Sequence, residues 1–428
     1  YPGPVHLSLP VDIMFASFPT EIGREERPYK RSFQTPIKAW PEPTVLKEII
    51  DVIKKSKRPI LIGGHGVWWS RTEKNLGITG EALGIPIFNT PYHQKLLDEE
   101  CRAYMGLADI HQYAPSKFAL HNSDCIIMVG CRLDNQMNFG NPPLIPYSAD
   151  LICVNGSNEE VDFNRAADHL LLSDPGAFLD ALLAEQKFGT WIEDIAWLNE
   201  NIKKRDEWIK KTVSDLEVET NGPQWSGGII HPLKLSLEVQ DAMEDGDWLV
   251  FDGGNTHFWS EIAVNISARK GRKFSGILHP GSYSLLGVGV SFALSAKNTH
   301  PDKTVVLISG DGAFLSGGLS IEAAFQEKLP IVVVIDNNGG LDCISQQQER
   351  LFSSGTHFAT DFRDIPFHGL FKGMGGYGEL VTHKDEISGA VKRAIASGKP
   401  ACVNVKARGV ISPIVAATSD KRDKASIE

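Results

Sequence analysis

The sequence lacks several features that would point to particular partners. No apolar run approaches the 18 or more residues that a membrane-spanning helix needs. Its 43 lysines and arginines are outnumbered by 53 aspartates and glutamates, and the net charge of -10 offers no basic face for nucleic acid. The six cysteines form no C-x-x-C pair and are typical of buried side chains in a reducing compartment. We therefore expect a soluble, cytoplasmic protein that binds neither membranes nor nucleic acids.

The first residues have no export signal either. Tyr1 stands where a methionine would begin a complete chain, and no basic-then-apolar segment follows it. Residues 1–16 contain a turn signal and then the alternating Val5, Leu7 and Leu9, a pattern that predicts a strand. We expect this strand to be the last one of a domain that begins outside the chain. Residues 17–43 are rich in proline and charge and are predicted to be a linker.

From Thr44 onwards, helical and strand-like patterns alternate. Strands separated by helices predict parallel sheets with right-handed crossovers, so the fold class is α/β with two doubly wound parallel-sheet domains. The domains are predicted at 44–187 and 227–412, joined by a linker helix and loop at 188–226 and followed by a tail at 413–428. The predicted strands are 59–62, 85–88, 124–129, 150–154, 248–252, 304–309, 331–336 and 401–405.

Two polar loops follow neighbouring apolar strands in the second domain. Gly310-Asp311-Gly312 comes after the first strand, and Asn337-Asn338-Gly339-Gly340 comes after the second. Both loops lie at carboxyl ends of strands, the edge where open parallel sheets bind ligands. A carboxylate from Asp311, an amide oxygen from Asn338 and the carbonyl of Gly340 would suit an octahedral Mg²⁺ that also takes diphosphate oxygens.

The first of these loops also predicts a phosphate contact. The N–H groups of Gly312 and Ala313 lie where a strand turns into a helix, so they can point at an anion with the helix dipole behind them. Either loop alone is usually no more than a turn. Together, with 24 residues between Gly312 and Asn337, they resemble the fingerprint of thiamine diphosphate (ThDP) enzymes.

On these loops, residues 227–412 resemble the diphosphate-binding domain of ThDP enzymes, in the branch of acetohydroxyacid synthases, pyruvate oxidases and 2-hydroxyacyl-CoA lyases. The run from Asp252 to Trp259 resembles the family's diphosphate loop, and Gly281–Gly289 resembles the segment that holds thiamine bent. There Leu286 would support the cofactor, with a core leucine as the alternative. The resemblance implies cofactor contacts from Gly254, Asn255, Thr256, Ser282, Leu286, Gly310, Gly312, Ala313, Phe314, Asn338, Gly340 and Leu341.

Two further residues are candidates for the chemistry of the substrate. His279, just before Gly281, would act in proton transfer, and a solvated loop histidine is the alternative. Gln347 stands where acetohydroxyacid synthases have tryptophan, within a Gln-x-Gln-Glu spacing from Gln346 to Glu349 that otherwise matches them. The pair Gly339-Gly340 instead resembles oxalyl-CoA decarboxylases and 2-hydroxyacyl-CoA lyases.

Residues 44–187 resemble the central domain of the same branch, which relatives use for FAD, ADP or CoA, or for no ligand. The glycines at 63, 64 and 66 would either admit a phosphate or form a tight turn. After strand 150–154 the chain reads Asn155-Gly156-Ser157, without the acidic residue common in nucleotide sites, so FAD is not expected. ADP or CoA stays open.

The resemblance also implies a partner. Members of the family have a pyrimidine-binding domain that donates a glutamate to the cofactor, and only 1–16 resembles any part of that domain. We expect a separate polypeptide, either a second gene product or the other piece of a cleaved chain, to supply the glutamate, and a homodimer or tetramer of such pairs.

The activity implied is a ThDP- and Mg²⁺-dependent carbon–carbon bond lyase or carboligase acting on 2-oxo acids, as acetolactate synthases do. An enzyme of the 2-hydroxyacyl-CoA lyase or oxalyl-CoA decarboxylase type is the alternative, with the tail residues Lys421, Arg422 and Lys424 as candidates for CoA binding. A non-catalytic subunit is the rival from another class, and the presence of both Asp311 and Asn338 counts against it.

Overall fold

The structure is a computed structural model. It describes residues 6–17, 38–90, 101–109, 113–142, 144–161, 164–187, 191–192, 194–225 and 230–417. The chain forms two six-stranded parallel sheets flanked by helices, which confirms the predicted fold class. Within the described ranges, no helix combines the length and the apolar character that crossing a bilayer requires.

The first sheet belongs to the domain that begins near residue 43. Its strands run in the order β3-β2-β1-β4-β5-β6. They are β1 Pro59–Gly63, β2 Ile87–Asn89, β3 Tyr104–Leu107, β4 Cys125–Val129, β5 Asp150–Asn155 and β6 His169–Leu172. The helices up to this domain's end are α1 Val11–Met14, α2 Pro43–Lys55, α3 His65–Trp69, α4 Glu73–Leu83, α5 Ala114–Asn122, α6 Asn158–Val161 and α7 Pro175–Gln186.

A long helix, α8 Ala196–Thr220, leads to the second domain, whose strands run in the order β11-β12-β10-β9-β7-β8. These strands are β7 Trp248–Asp252, β8 Gly276–Leu278, β9 Val305–Gly310, β10 Val332–Asn337, β11 Tyr377–Val381 and β12 Ala401–Lys406. The helices are α9 Pro232–Ala242, α10 Asn255–Arg269, α11 Gly289–Thr299, α12 Asp311–Gly317, α13 Glu322–Gln326, α14 Asp342–Leu351, α15 Phe367–Gly373 and α16 Ile387–Ala396.

The central strands of both sheets are apolar on both faces. Every residue of β1, β4, β9 and β10 is buried, because helices cover the two sides of each sheet. Several helices begin at proline, whose fixed φ suits the first turn. The side chains of Glu42, Asp174 and His231 cap α2, α7 and α9 by accepting backbone N–H bonds.

The predicted strand near the N-terminus is wrong in the part that the structure describes. Residues 6–10 form no strand, and Val11–Met14 is a short helix. Leu7 and Leu9 are 74% and 57% exposed. A strand needs a neighbour to pair with, and residues 6–10 have none among the described residues. Of the predicted tail, residues 413–417 are helical, and the lysines and arginine proposed for CoA lie outside the described residues.

Close backbone packing explains the glycines that follow β1. A Cβ on Gly66 would lie 2.6 Å from the Cα of Gly130, and one on Gly64 would lie 2.6 Å from the carbonyl oxygen of Gly130. Gly130 itself has a φ of +62° and follows β4, the neighbour of β1. The two turns therefore contact each other through backbone atoms. This contact explains the glycines as parts of a tight turn, without a bound phosphate.

We predict that Gly130→Ala destabilises the first domain more than Gly271→Ala destabilises the second. Both glycines have positive φ, which costs alanine about 1–2 kcal/mol. Only at Gly130 would the new Cβ also meet backbone atoms, at 2.5 Å, whereas nothing lies within 4 Å of it at Gly271. Overpacking adds about 1–3 kcal/mol. Urea denaturation of both variants checks this, and equal losses would contradict the close contact.

Candidate functional site

Three strand ends of the second sheet meet at one edge. β9 lies between β7 and β10, and all three run parallel. The register pairs Asp252 with Ser309 and Gly310 with Asp336, so the three strands end at the same level. The loops beginning at Gly253, Asp311 and Asn338 therefore emerge side by side.

The Asp311 carboxylate connects two of these loops. Asp311 is 2% exposed, and its Oδ2 accepts hydrogen bonds from the N–H groups of Gly339 at 2.8 Å and Gly340 at 3.1 Å. Its Oδ1 accepts from Gly312 at 2.6 Å. The amide oxygen of Asn338 lies 3.2 Å from the same Gly340 nitrogen. The three predicted ligands therefore lie together, and their ligation of an ion stays a prediction.

Three aspartates lie close together in this region, Asp311 and Asp336 buried and Asp342 half-buried. Burial raises the pKa of Asp311 to about 6, and burial together with the charge of Asp311 raises the pKa values of Asp336 and Asp342 to about 7. One buried oxygen on Asp336 and one on Asp342 make no hydrogen bond to the described residues. Clustered carboxylates with spare oxygens fit a divalent cation, because the cation would offset their repulsion.

Glycine keeps the loops close together around this cluster. A Cβ on Gly312 would lie 2.4 Å from Cδ2 of Leu341, and one on Gly254 would lie 2.8 Å from Cβ of Cys343. Leu341 therefore borders the first turn of α12. Side chains at either glycine would fill the space between the loops.

The predicted diphosphate loop turns its side chains toward the protein. The Asn255 amide donates to Oε1 of Gln346 at 2.9 Å and accepts from the N–H of Ser412 at 3.0 Å. The Thr256 hydroxyl donates to Oδ2 of Asp336 at 2.8 Å. Gly254 is the N-cap of α10. Contacts from this loop to an anion would therefore come from backbone N–H groups at the start of that helix.

Other predicted cofactor residues divide between the core and the surface. Ala313 is buried, and the Phe314 ring packs 5.6 Å from Phe367 and 6.1 Å from Phe371, so this side chain belongs to the core. Gly310 ends β9. Leu286 is half-buried, and its support of the cofactor stays a prediction. The side chain of Ser282 lies outside the described residues.

The two catalytic candidates are both half-buried. The His279 ring lies 5.1 Å from the His257 ring, and its Nδ1 is 3.3 Å from the nitrogen of Gly281. Gln347 lies on α14, with its Nε2 3.7 Å from Sγ of Cys343. Neither contact assigns a role in catalysis, and both roles stay predictions.

The sequence reasoning missed three acidic residues. Asp252 is 1% exposed and accepts from the N–H groups of Gly287 at 3.0 Å and Gly289 at 2.6 Å. Asp336 and Asp342 complete the charged cluster. Asp252 and Asp336 lie among the last residues of apolar strands. That position could have marked them as candidates, because a buried carboxylate needs a hydrogen-bond or ionic partner.

The fold is that of a two-domain α/β protein with two parallel sheets, and the loops at the strand ends of the second sheet form its candidate site. The central-domain profile of thiamine pyrophosphate enzymes matches residues 46–182, and the profile of their C-terminal TPP binding domain matches residues 252–405. Together the two regions make up more than half of the chain. The chain therefore belongs to the thiamine pyrophosphate enzymes.

Similar proteins carry several activities in their names. The chain is 25% identical to a 2-hydroxyacyl-CoA lyase of Arabidopsis thaliana, over 98% of this chain and 71% of that protein. It is 25% identical to a probable acetolactate synthase large subunit of Methanococcus aeolicus, over 93% of this chain and 66% of that one. It is 26% identical to the oxalyl-CoA decarboxylase of Escherichia coli K12, over 94% and 68%. The chain thus spans roughly two thirds of these relatives' lengths.

We predict that Thr256→Val destabilises the protein by about 1–3 kcal/mol, because the buried Asp336 carboxylate would lose the hydrogen bond from the Thr256 hydroxyl. Thr256→Ser keeps the hydroxyl and is the matched control, with a clearly smaller loss. Chemical denaturation of the two variants measures the difference. A valine variant as stable as the wild type would show that the hydroxyl does not support Asp336.

Proposed function

We propose that this chain binds Mg²⁺ and thiamine diphosphate through the two loops joined by Asp311. The observation that carries the proposal is the Asp311 carboxylate, which is buried and hydrogen-bonded to Gly339 and Gly340 beside the Asn338 amide. Asp311, Asn338 and the carbonyl of Gly340 would hold the ion. Oxygen ligands alone are the set that Mg²⁺ prefers.

When bound, the thiazolium ring of the cofactor supplies an electron sink for the carbon next to a carbonyl group. The residues of this chain orient it. The first N–H groups of α10 lie at the positive end of a 15-residue helix, beside the cluster, and would bind the diphosphate. Asp252 fixes the backbone of Gly287, so that the neighbouring Leu286 is held in place to support the ring.

We propose that a pyrimidine-binding domain on a separate polypeptide completes the site and supplies the glutamate. Exposed apolar side chains support this: Tyr283 is 92% exposed, Leu285 61% and Leu319 78%. They lie on two segments in contact, since a Cβ on Gly317 would lie 2.0 Å from the carbonyl oxygen of Gly287. An apolar surface beside a cofactor site is typical of an interface. Such pairs would assemble further into a dimer or tetramer of pairs.

We favour acyl-CoA substrates over 2-oxo acids. A cavity of about 390 Å³ lies beside the site and is lined by Arg350, Arg408 and Gln346, the last of which bonds Asn255. Glu219 and Glu349 line it too, and the two guanidinium groups are the part that would bind a phosphate. The names of several relatives and the pair Gly339-Gly340 agree with this choice. The Gln-x-Gln-Glu spacing keeps the acetolactate synthase type as the second candidate.

We predict that Asp311→Ala weakens Mg²⁺-dependent binding of thiamine diphosphate by about 100-fold or more, because removing a buried charged partner costs about 2–5 kcal/mol. Asp385→Ala, whose side chain is 72% exposed, is the control and should bind as the wild type does. The measurement is calorimetric titration of the complex purified from its native host, in which the co-purifying chain is identified. Unchanged binding by Asp311→Ala would refute the ligand assignment, and binding without turnover would indicate a non-catalytic subunit.

The same complex decides the substrate class. We predict cleavage of 2-hydroxyacyl-CoA, with a KM raised about 10-fold by Arg408→Gln through the loss of a charge-assisted hydrogen bond to phosphate. Arg393→Gln removes an exposed guanidinium that pairs with Glu379 instead and should leave the KM unchanged. Turnover of 2-oxo acids alone, with equal KM in all three proteins, would favour the acetolactate synthase type.

A further inference from the structure

Three metal-ligating side chains converge at a place apart from the Asp311 cluster. His257 and Glu261 lie four residues apart on α10, so they project from one face of that helix. His279 directly follows β8, which pairs with β7. One ligand atom from each of the three lies within 4.8 Å of the other two. No residue of this group is among the ligands proposed for Mg²⁺.

The environment of His257 is incompletely satisfied. His257 is 5% exposed and Glu261 is 3% exposed. The Nε2 of His257 lies 3.2 Å from Oε1 of Glu261, yet this buried nitrogen forms no well-aligned hydrogen bond with the described residues. Its ring packs against the rings of Phe251 and Phe258, which offer no hydrogen-bonding group. A buried polar atom without a bond is costly, and a bound ion would remove that cost.

We propose that His257, Glu261 and His279 bind a divalent transition-metal ion such as Zn²⁺. Two imidazoles and one carboxylate are a ligand set for Zn²⁺ or Fe²⁺, and they differ from the all-oxygen set that suits Mg²⁺. Bonds of about 2.0–2.2 Å at tetrahedral angles place two ligand atoms of one Zn²⁺ about 3.4 Å apart. The separation of 3.2 Å between His257 and Glu261 is close to this value, and the widest pair, at up to 4.8 Å, would close by up to about 1.4 Å on binding.

Metal binding at this place would change the neighbouring turn. The N–H of Gly281 donates to Nδ1 of His279 at 3.3 Å. Ligation through Nδ1 uses the lone pair that accepts this bond, and ligation through Nε2 puts a proton on Nδ1, so either mode releases the Gly281 contact. The turn Gly281–Tyr283 leads directly to Leu286. Because His257 and Glu261 lie on α10 and His279 precedes this turn, the ion would link α10 to the segment that borders the proposed cofactor.

The test is titration of the full chain, stripped with a chelator, with Zn²⁺ in the absence of thiamine diphosphate and with Mg²⁺ in excess. The expected result is one ion per chain and a rise in Tm on binding. His257→Gln and Glu261→Gln should each lose about 100-fold or more in affinity, beyond the 10- to 100-fold effect of changes outside the ligand set. His383→Gln, at an exposed histidine, should bind as the wild type does.

Circular dichroism of each variant without metal controls for folding. If the changes on α10 impair folding, His279→Gln, at the half-buried turn, takes their place in the titration. Asp311→Ala should keep its Zn²⁺ affinity, so this test is independent of whether the proposed cofactor binds. Absence of Zn²⁺ uptake by the wild type would overturn the proposal, as would equal affinity in wild type and Glu261→Gln. If Glu261→Gln lowers the Tm but Zn²⁺ does not change the Tm of the wild type, His257 and Glu261 form a buried ion pair only.

Discussion

The hydrogen bonds from Gly339 and Gly340 to the Asp311 carboxylate are the interaction on which the site depends. They join loops from two adjacent strands across a sheet edge that would otherwise hold two independent turns. Ionisation of all three carboxyl groups is unfavourable by itself, because burial and the charge of Asp311 raise the pKa values of Asp336 and Asp342 to about 7. Strain of this kind is common where a protein keeps a binding site instead of a better-packed core. A cation held by Asp311 between the loops would offset the repulsion among the three carboxylates.

The interior strands could be predicted from the sequence, and the edge strands could not. All eight predicted strands of the two domains exist, and the four that were missed, β3, β6, β8 and β11, are the edges of the two sheets. Interior strands are buried on both faces and appear as continuous apolar runs. Three of the edge strands are only partly buried, and β3 contains Gly106 at a φ of +110°. These segments become strands because they pair with a neighbouring strand, and the local sequence does not reveal that pairing.

The same limit applies to the site. The proximity of Asp311 to Asn338 was predictable, because both follow apolar strands whose carboxyl ends share an edge. The direction of individual side chains was not. Thr256 and Asn255 have the polar character expected of cofactor contacts, but the structure turns them toward Asp336, Gln346 and Ser412. A pattern gives residue type and spacing, whereas the inward or outward orientation at a helix start depends on which partners the fold brings there.

The Asn255 side chain has a consequence for motion. Its single amide bonds the first residue of α10 to α14 through Gln346 and to the segment after β12 through Ser412. Ser412 is completely buried, so that segment is packed in place as well as bonded. Displacement of the chain around Ser412 must therefore either break the bond to Asn255 or pull on the end of α10. A displacement of the chain around Ser412 would in this way also move the loop that is proposed to bind the diphosphate.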